Sequence, residues 1–168
     1  MELLDRLTRA LWALCMLGAG LSFAVLIAVV LTQVIGRTIG SSPVWTEEVT
    51  RFALLYLAAF GVGLSFRTGD LVNVDVVCES LRAPLPWILR LVSAVLTGGL
   101  ALLLIPYSWK FTSIGKMQTS PALGLRMDIV HFTVTLLLAL LFVFAALRVI
   151  NMLAGRSDGL PAKSEGEV

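Results

Sequence analysis

The chain has 168 residues, of which 58% are hydrophobic and only 14% are charged, and its mean hydropathy is +0.92. Soluble domains carry charge at about 25% of their positions, so this composition excludes a soluble domain and predicts an integral membrane protein. The net charge of +2 is too small and too scattered to indicate nucleic-acid binding.

The first predicted element is a membrane helix within the uncharged run from Ala10 to Gly36. This run is about twice as long as the apolar core of a secretory signal, which indicates a retained signal anchor. Residues 1–9 precede it as a short tail, in which Arg6 and Arg9 favour a cytoplasmic N-terminus.

A dense charge cluster at residues 42–52 (SPVWTEEVTRF) precedes the second apolar run. Ser42 is suited to cap a helix, and Pro43 is suited to the first helical position. Glu47 and Glu48 are favoured near the positive end of a helix. Glu47 and Arg51 are four residues apart, a spacing that allows an ion pair along one helix face.

The uncharged run behind this cluster, residues 52–66, spans only about 22 Å as a helix, whereas the hydrocarbon core is roughly 30 Å thick. A span over residues 45–66 is long enough, and it carries the charges to the membrane boundary. We therefore predict an amphipathic helix leading into the second span, with Trp45, Val49 and Phe52 as its apolar stripe. Its charges either form a self-neutralised lipid anchor or contact a neighbouring membrane subunit.

Two further spans complete an all-α membrane domain over residues 10–150. Residues 71–82 carry charges at helical spacing and favour a surface helix, although alternating valines also permit a short strand. The third span is predicted at residues 87–109, where Pro106 can bend or end the helix, and the fourth at residues 129–150. Residues 110–126 are predicted as a loop with a partial helical turn, and residues 151–168 as a disordered tail.

The distribution of basic residues favours cytoplasmic termini. With both termini inside, eight basic residues are cytoplasmic and five are external, which has the sign expected from the positive-inside rule. The cytoplasmic set is Arg6, Arg9, Arg67, Arg82, Arg90, Arg148, Arg156 and Lys163, and the external set is Arg37, Arg51, Lys110, Lys116 and Arg126.

No catalytic or cofactor chemistry is predicted. His131 is the single histidine, which excludes a haem held by two histidines of this chain, and it is expected to be a packing or interfacial residue. Phosphate-binding glycine loops and nucleophile elbows do not occur. The interiors of the four spans lack Asp, Glu, Lys and Arg, which a carrier that works alone usually needs near mid-membrane. Small residues at i and i+4 predict close helix packing instead, at Gly20/Ala24, Ala59/Gly63 and Ala94/Gly98.

Three segments carry a resemblance to a known family: residues 45–52 (WTEEVTRF), Gly61 and residues 67–75 (RTGDLVNVD). They resemble the signature of the small permease subunit of tripartite ATP-independent periplasmic (TRAP) transporters, the DctQ-like family. The likeness covers nearly the whole chain, including four spans in this order and residues 120–124 (SPALG) before the last span.

The chain departs from the family pattern at two places. Members often carry a histidine where Asp70 or Leu71 stands here. They also carry prolines near the last span, where this chain has residues 125–127 (LRM) and a proline-free helix. These departures concern the local geometry of the final span.

The resemblance implies a scaffold subunit of the bacterial inner membrane, surrounded by lipids, that does not transport by itself. In this family a large permease subunit holds the substrate and sodium sites, and a periplasmic solute-binding protein delivers an organic acid, for example a C4-dicarboxylate. The residues expected to fix the start of the second span and to help meet the large subunit are Trp45, Glu47, Glu48 and Arg51. Arg67, Gly69, Asp70 and Asp75 are expected to form the family-motif connection.

Three other functions are compatible with a small four-helix membrane protein. The small subunit of a tripartite tricarboxylate transporter would have nearly the same physical features. A membrane anchor subunit of a respiratory complex would need cofactor ligands or a quinone pocket. A small multidrug exporter would need a membrane-embedded carboxylate in an early span, which residues 10–36 do not supply.

Overall fold

The computed structural model describes residues 2–41, 43–68 and 85–154, with side chains from residue 6 onward except for residues 66–68. These residues form four helices, α1 (Glu2–Thr38), α2 (Trp45–Thr68), α3 (Leu85–Gly115) and α4 (Asp128–Leu153). By length and composition, each helix is able to cross a membrane. The predicted all-α membrane fold with four spanning helices is therefore confirmed.

The helices extend beyond the apolar runs that predicted them. α1 already begins at Glu2 and has 37 residues, which gives it a length of about 55 Å. α3 continues through Pro106 to Gly115, so the proline does not end the helix. Proline is tolerated inside membrane helices because neighbouring helices and hydroxyl side chains can satisfy the freed backbone groups. α2 is unbroken from Trp45, so the predicted amphipathic segment forms its first turns.

The four helices pack side by side in the order α1, α2, α4, α3. Gly18 of α1 lies against Phe60 of α2, and Gly63 of α2 lies against Phe144 of α4. From the residue numbers in contact, α1 and α2 run antiparallel, whereas α2 and α4 run parallel. We call this arrangement of the described helices an open layer, because α1 and α3 at its two ends have no extensive contact that would close it into a four-helix bundle.

A small apolar core lies where α1, α2 and α4 meet. Cys15, Leu140, Phe144 and Ala145 are buried there. A Cβ on Gly63 would lie 2.9 Å from the Phe144 ring, so the glycine is what permits this approach. Membrane helices pack by such close contact because lipid removes the usual hydrophobic driving force between them.

Two of the three predicted small-residue pairs lie in helix contacts. Ala59 and Gly63 are buried in the α2 contacts, and Ala94 and Gly98 are buried in the α3–α4 contact, where a Cβ on Gly98 would lie 3.2 Å from Ala145 Cβ. The Gly20/Ala24 pair is exposed on α1.

The two described connections lie at the same end of the layer, which we call the connection face (residues 39–41, 43–44 and 116–127). After α1 the chain turns at Gly40, whose φ of 78° suits glycine. The Ser41 N–H donates to Gly36 O at 2.8 Å and closes this helix end. Residues 118–127 form a tight hairpin between α3 and α4, with Thr119 bridged to Arg126.

Several sequence predictions fall on parts of the chain outside the described residues. These are the Ser42 cap, the surface helix over residues 71–82 and the tail beyond residue 154; α4 itself continues to Leu153. Arg90, near the start of α3, is buried, with only 6% of the residue exposed.

Candidate functional site

The predicted site residues at the start of α2 lie at the connection face but do not share one environment. Trp45 is 40% exposed, and Glu47 and Arg51 are also exposed. Glu48 is half-buried and faces the hairpin. Because adjacent helix residues point about 100° apart, the paired glutamates have different partners.

Glu48 ties α2 to the hairpin between α3 and α4. Its Oε2 accepts a hydrogen bond from the Ser120 hydroxyl, and its Oε1 accepts one from the Ala122 N–H at 3.2 Å. The Ser120 oxygen also accepts a hydrogen bond from the Leu123 N–H at 3.2 Å. Ser120 is only 3% exposed, so its hydroxyl depends on this carboxylate rather than on water. Hydrogen bonds to an ionised group are stronger than neutral ones, which makes Glu48 the principal link across this face.

The local fold of the hairpin presents these donors to Glu48. Met127 N–H donates to Gln118 O at 3.0 Å, and Ser120 N–H donates to Leu125 O at 2.8 Å. The tip is a single turn closed by Gly124 N–H to Ser120 O at 2.9 Å, with Gly124 at a φ of 65°. Glycine occupies this left-handed region without a steric cost, so the turn can close tightly.

Glu47 is paired with α1, and the predicted pair with Arg51 is wrong. Glu47 Oε1 lies 3.7 Å from Arg37 Nη2, and among the described residues Arg51 has no ion pair. The Glu47 side chain is 62% exposed and the Arg37 side chain is 66% exposed, so this ion pair contributes little to stability. Arg37 comes within reach only because the turn at Gly40 brings the end of α1 beside the start of α2.

Sequence reasoning also missed several hydroxyl hydrogen bonds near this face, two of which join helices. Thr112 and Thr135 form a hydrogen bond of 3.0 Å between α3 and α4, and both are buried. Tyr56 of α2 donates to Ile129 O of α4 at 2.8 Å. Thr46 is fully buried and donates to Pro43 O at 2.7 Å. Hydroxyls within apolar spans are the available signal for such contacts, but they do not identify the partner.

The family comparison covers this whole region. A family model described as "Tripartite ATP-independent periplasmic transporters, DctQ component" matches residues 26–155, which include the last part of α1 and all of α2, α3 and α4. This chain belongs to the DctQ family. It is the small subunit of a TRAP transporter, a multi-pass protein of the bacterial inner membrane and not a member of an enzyme family. A comparison with curated proteins finds no match.

In TRAP systems, members of the DctQ family work with a large permease and a periplasmic binding protein. The first group of motif residues, in positions 45–51, and the hairpin at residues 118–127 both fall within the matched region. Glu48 therefore joins two segments of the family domain that are far apart in sequence.

The second motif group is only partly described in this DctQ chain. Arg67 lies in the last turn of α2, and its side chain lies outside the described part of the structure. Gly69, Asp70 and Asp75 lie outside the described residues altogether, so their role in the connection stays a prediction.

The single histidine of the DctQ subunit is engaged in packing. The His131 ring stacks on Phe111 with ring centroids 4.1 Å apart, and its Nδ1 lies 3.3 Å from Phe111 O. Within residues 2–41, 43–68 and 85–154, no three His, Cys, Asp or Glu side chains come together as a metal site requires.

Proposed function

We propose that this chain is the small subunit of a sodium-coupled TRAP importer of an organic acid, such as a C4-dicarboxylate. In this proposal the large permease subunit holds the substrate and the sodium ions, and the present chain holds that subunit in place. Membership of the DctQ family supports the small-subunit role. The open layer of helices is the observation that best supports the proposed scaffold role.

The described helices have broad contact surfaces, and the interiors of the spans carry no charged side chain. The span interiors contain no Asp, Glu, Lys or Arg, so the helices offer no charged site near mid-membrane. Large apolar side chains are exposed along α1 and α3, for example Leu17, Leu21, Leu31, Leu96 and Leu103. In a membrane such surfaces contact lipid or another subunit, which suits a scaffold.

The connection face supplies a fixed edge for this scaffold. The Glu48 hydrogen bonds hold the hairpin against α2, and Trp45 and Arg51 remain exposed beside it. Tryptophan and arginine are enriched among the residues that dominate interface energies. We propose that Trp45 and Arg51 contact the large subunit and that Glu48 positions the surface on which they lie. Glu47 is proposed only to anchor the start of α2, through its exposed pair with Arg37.

The proposed orientation places both termini in the cytoplasm and the connection face in the periplasm, next to the binding protein. The support is the excess of basic residues assigned to the cytoplasmic side. Met117 tests this orientation, because it is 89% exposed in the connection face. A Met117→Cys variant is expected to react with a membrane-impermeant maleimide in intact spheroplasts, above the level of the unsubstituted protein. Reaction only after permeabilisation would reverse the orientation.

The scaffold role is tested by purification from the native membrane. The tagged chain, extracted in a mild detergent, is expected to bring a much larger polytopic protein with it at a fixed ratio. A chain that is recovered alone from membranes containing its large permease would contradict the proposal.

A further inference from the structure

Two adjoining surface cavities share the side chain of Tyr56. The first has a volume of about 280 Å³ and lies at the connection end of α2, α3 and α4, where Trp109, Lys116 and Asp128 help to line it. The second has a volume of about 380 Å³ and lies between α1 and α2, where Val25 and other apolar side chains line it.

The first cavity offers positive charge and hydrogen-bond donors. The negative charge of Asp128 is balanced by an ion pair. Its Oδ2 accepts a hydrogen bond from Arg126 Nη2 at 2.7 Å, and its Oδ1 accepts one from the Ile129 N–H at 3.1 Å. Among the described residues the Lys116 ammonium has no ion pair. The exposed Trp109 adds an indole N–H, a donor with no acceptor function. These groups suit a phosphate rather than a cation.

The two cavities lie side by side at Tyr56, and the apolar cavity continues deeper into the span. Trp109 and Tyr56 have rings of the type that favours the membrane–water interface, and they border the charged cavity. The apolar cavity extends along α2 on both sides of Tyr56, toward the connection face as far as Val49 and about 6 Å deeper along the helix as far as Phe60. A charged site beside an apolar groove that reaches deeper into the span suits the phosphate and one acyl chain of a phospholipid.

We propose that the two cavities form one phospholipid site, in the leaflet on the side of the connection face. The phosphodiester is bound by Lys116 and Trp109, and one acyl chain lies in the α1–α2 groove beside Tyr56. Free inorganic phosphate shares the headgroup chemistry but leaves the groove empty. A helix of the large subunit could fill the groove but would not use Lys116. The site is therefore independent of the scaffold role.

Native mass spectrometry of the full chain in mild detergent tests this site, with phosphatidylglycerol and phosphatidylethanolamine as the added lipids. The variants are Lys116→Gln, which removes the charge, Lys116→Arg, which keeps it, and Val25→Trp, which fills the groove. Lys110→Gln is the matched control, because Lys110 lies in α3 six residues before Lys116 and lines neither cavity; its ammonium lies 5.9 Å from the Tyr107 ring centroid. Thermal unfolding of each variant shows whether it remains folded.

The unsubstituted chain, Lys110→Gln and Lys116→Arg are expected to retain one phospholipid. Lys116→Gln is expected to lower the affinity about fivefold, the effect of one basic residue at an anionic lipid surface, and Val25→Trp is expected to lower lipid retention as well. Equal retention by Lys116→Gln and Lys110→Gln would overturn the proposal. So would displacement of the lipid by excess inorganic phosphate, which would identify a free-ion site. A Val25→Trp variant that keeps its lipid but no longer recovers the large subunit would assign the groove to a partner helix.

Discussion

The Ser120 hydroxyl donates to the Glu48 carboxylate across the connection face, between residues 72 positions apart in the chain. Ser120 is buried, so this carboxylate replaces the water that the hydroxyl would otherwise bind. If one partner is removed, the other keeps a polar group that is shielded from water and has no hydrogen bond. The free-energy cost of such a group exceeds the average net contribution of a hydrogen bond to stability. The start of α2 and the hairpin at residues 118–127 are thus held as one unit.

The two adjacent glutamates should therefore behave differently. Glu48→Ala removes the acceptor for Ser120 and Ala122, and we expect it to lower the amount of large subunit that co-purifies with the chain. Glu47→Ala removes only an exposed pair with Arg37, which is worth at most about 1 kcal/mol, so recovery should stay close to that of the unsubstituted protein.

Ser120→Ala extends this comparison from the other side of the contact. It should reproduce part of the Glu48→Ala defect, because the Ala122 N–H still binds the carboxylate. If Glu47→Ala and Glu48→Ala lower recovery equally, the distinction between an exposed pair and a hairpin link is wrong.

Gly115 is required by close contact between the end of α3 and the start of α4. A Cβ at this position would lie 2.8 Å from Asp128 N and Cα, which are backbone atoms that cannot turn aside. Gly115→Ala is expected to destabilise the protein by about 1–3 kcal/mol, the usual range for overpacking, in thermal unfolding in detergent.

Gly99→Ala is the matched control on the same helix, because an added Cβ there would have no heavy atom within 4 Å apart from its chain neighbours and the adjacent backbone of its own helix. It should be neutral or stabilising by up to about 1 kcal/mol, since alanine has the higher helix propensity. A Gly115→Ala variant that unfolds at the same temperature as Gly99→Ala would show that α3 and α4 do not approach this closely.

The buried threonine pair should make a modest contribution to the contact between α3 and α4. Thr135→Val keeps the shape of the side chain but removes the 3.0 Å hydrogen bond to Thr112. We expect a loss of about 0.6 kcal/mol, the average for such bonds between membrane helices. Thr32→Val serves as the comparison, because the Thr32 hydroxyl is exposed and bonds only within its own helix, to Ala28 O. A larger loss from Thr32→Val would contradict the assignment.

Hydropathy was sufficient to predict the spanning helices but not where the helices end. An apolar run of about 20 residues in a bilayer must satisfy its backbone internally, and the helix is the single-segment solution. Outside the hydrocarbon the same constraint disappears, so nothing in the apolar pattern indicates that α1 starts at Glu2 or that α3 continues to Gly115.

The position of the candidate site in the sequence could be predicted, but the contacts of its residues could not. Charges between two apolar runs stand out, which is why Glu47 and Glu48 were identified. Their partners could not be identified, because Arg37 depends on the turn at Gly40 and Ser120 belongs to a distant hairpin. The i,i+4 rule favoured Arg51 as the partner of Glu47 because the rule considers neighbours within a single helix. In the folded chain Glu47 pairs instead with Arg37 of another helix.

The most direct test of the scaffold role is reconstitution of the purified chain in liposomes with an imposed sodium gradient. The probe is an organic acid that liposomes accumulate when they contain both membrane subunits and are supplied with the binding protein. We expect no accumulation with the small subunit alone, with or without the binding protein, and accumulation once the large permease is added. Accumulation of the acid by the small subunit alone would contradict the account.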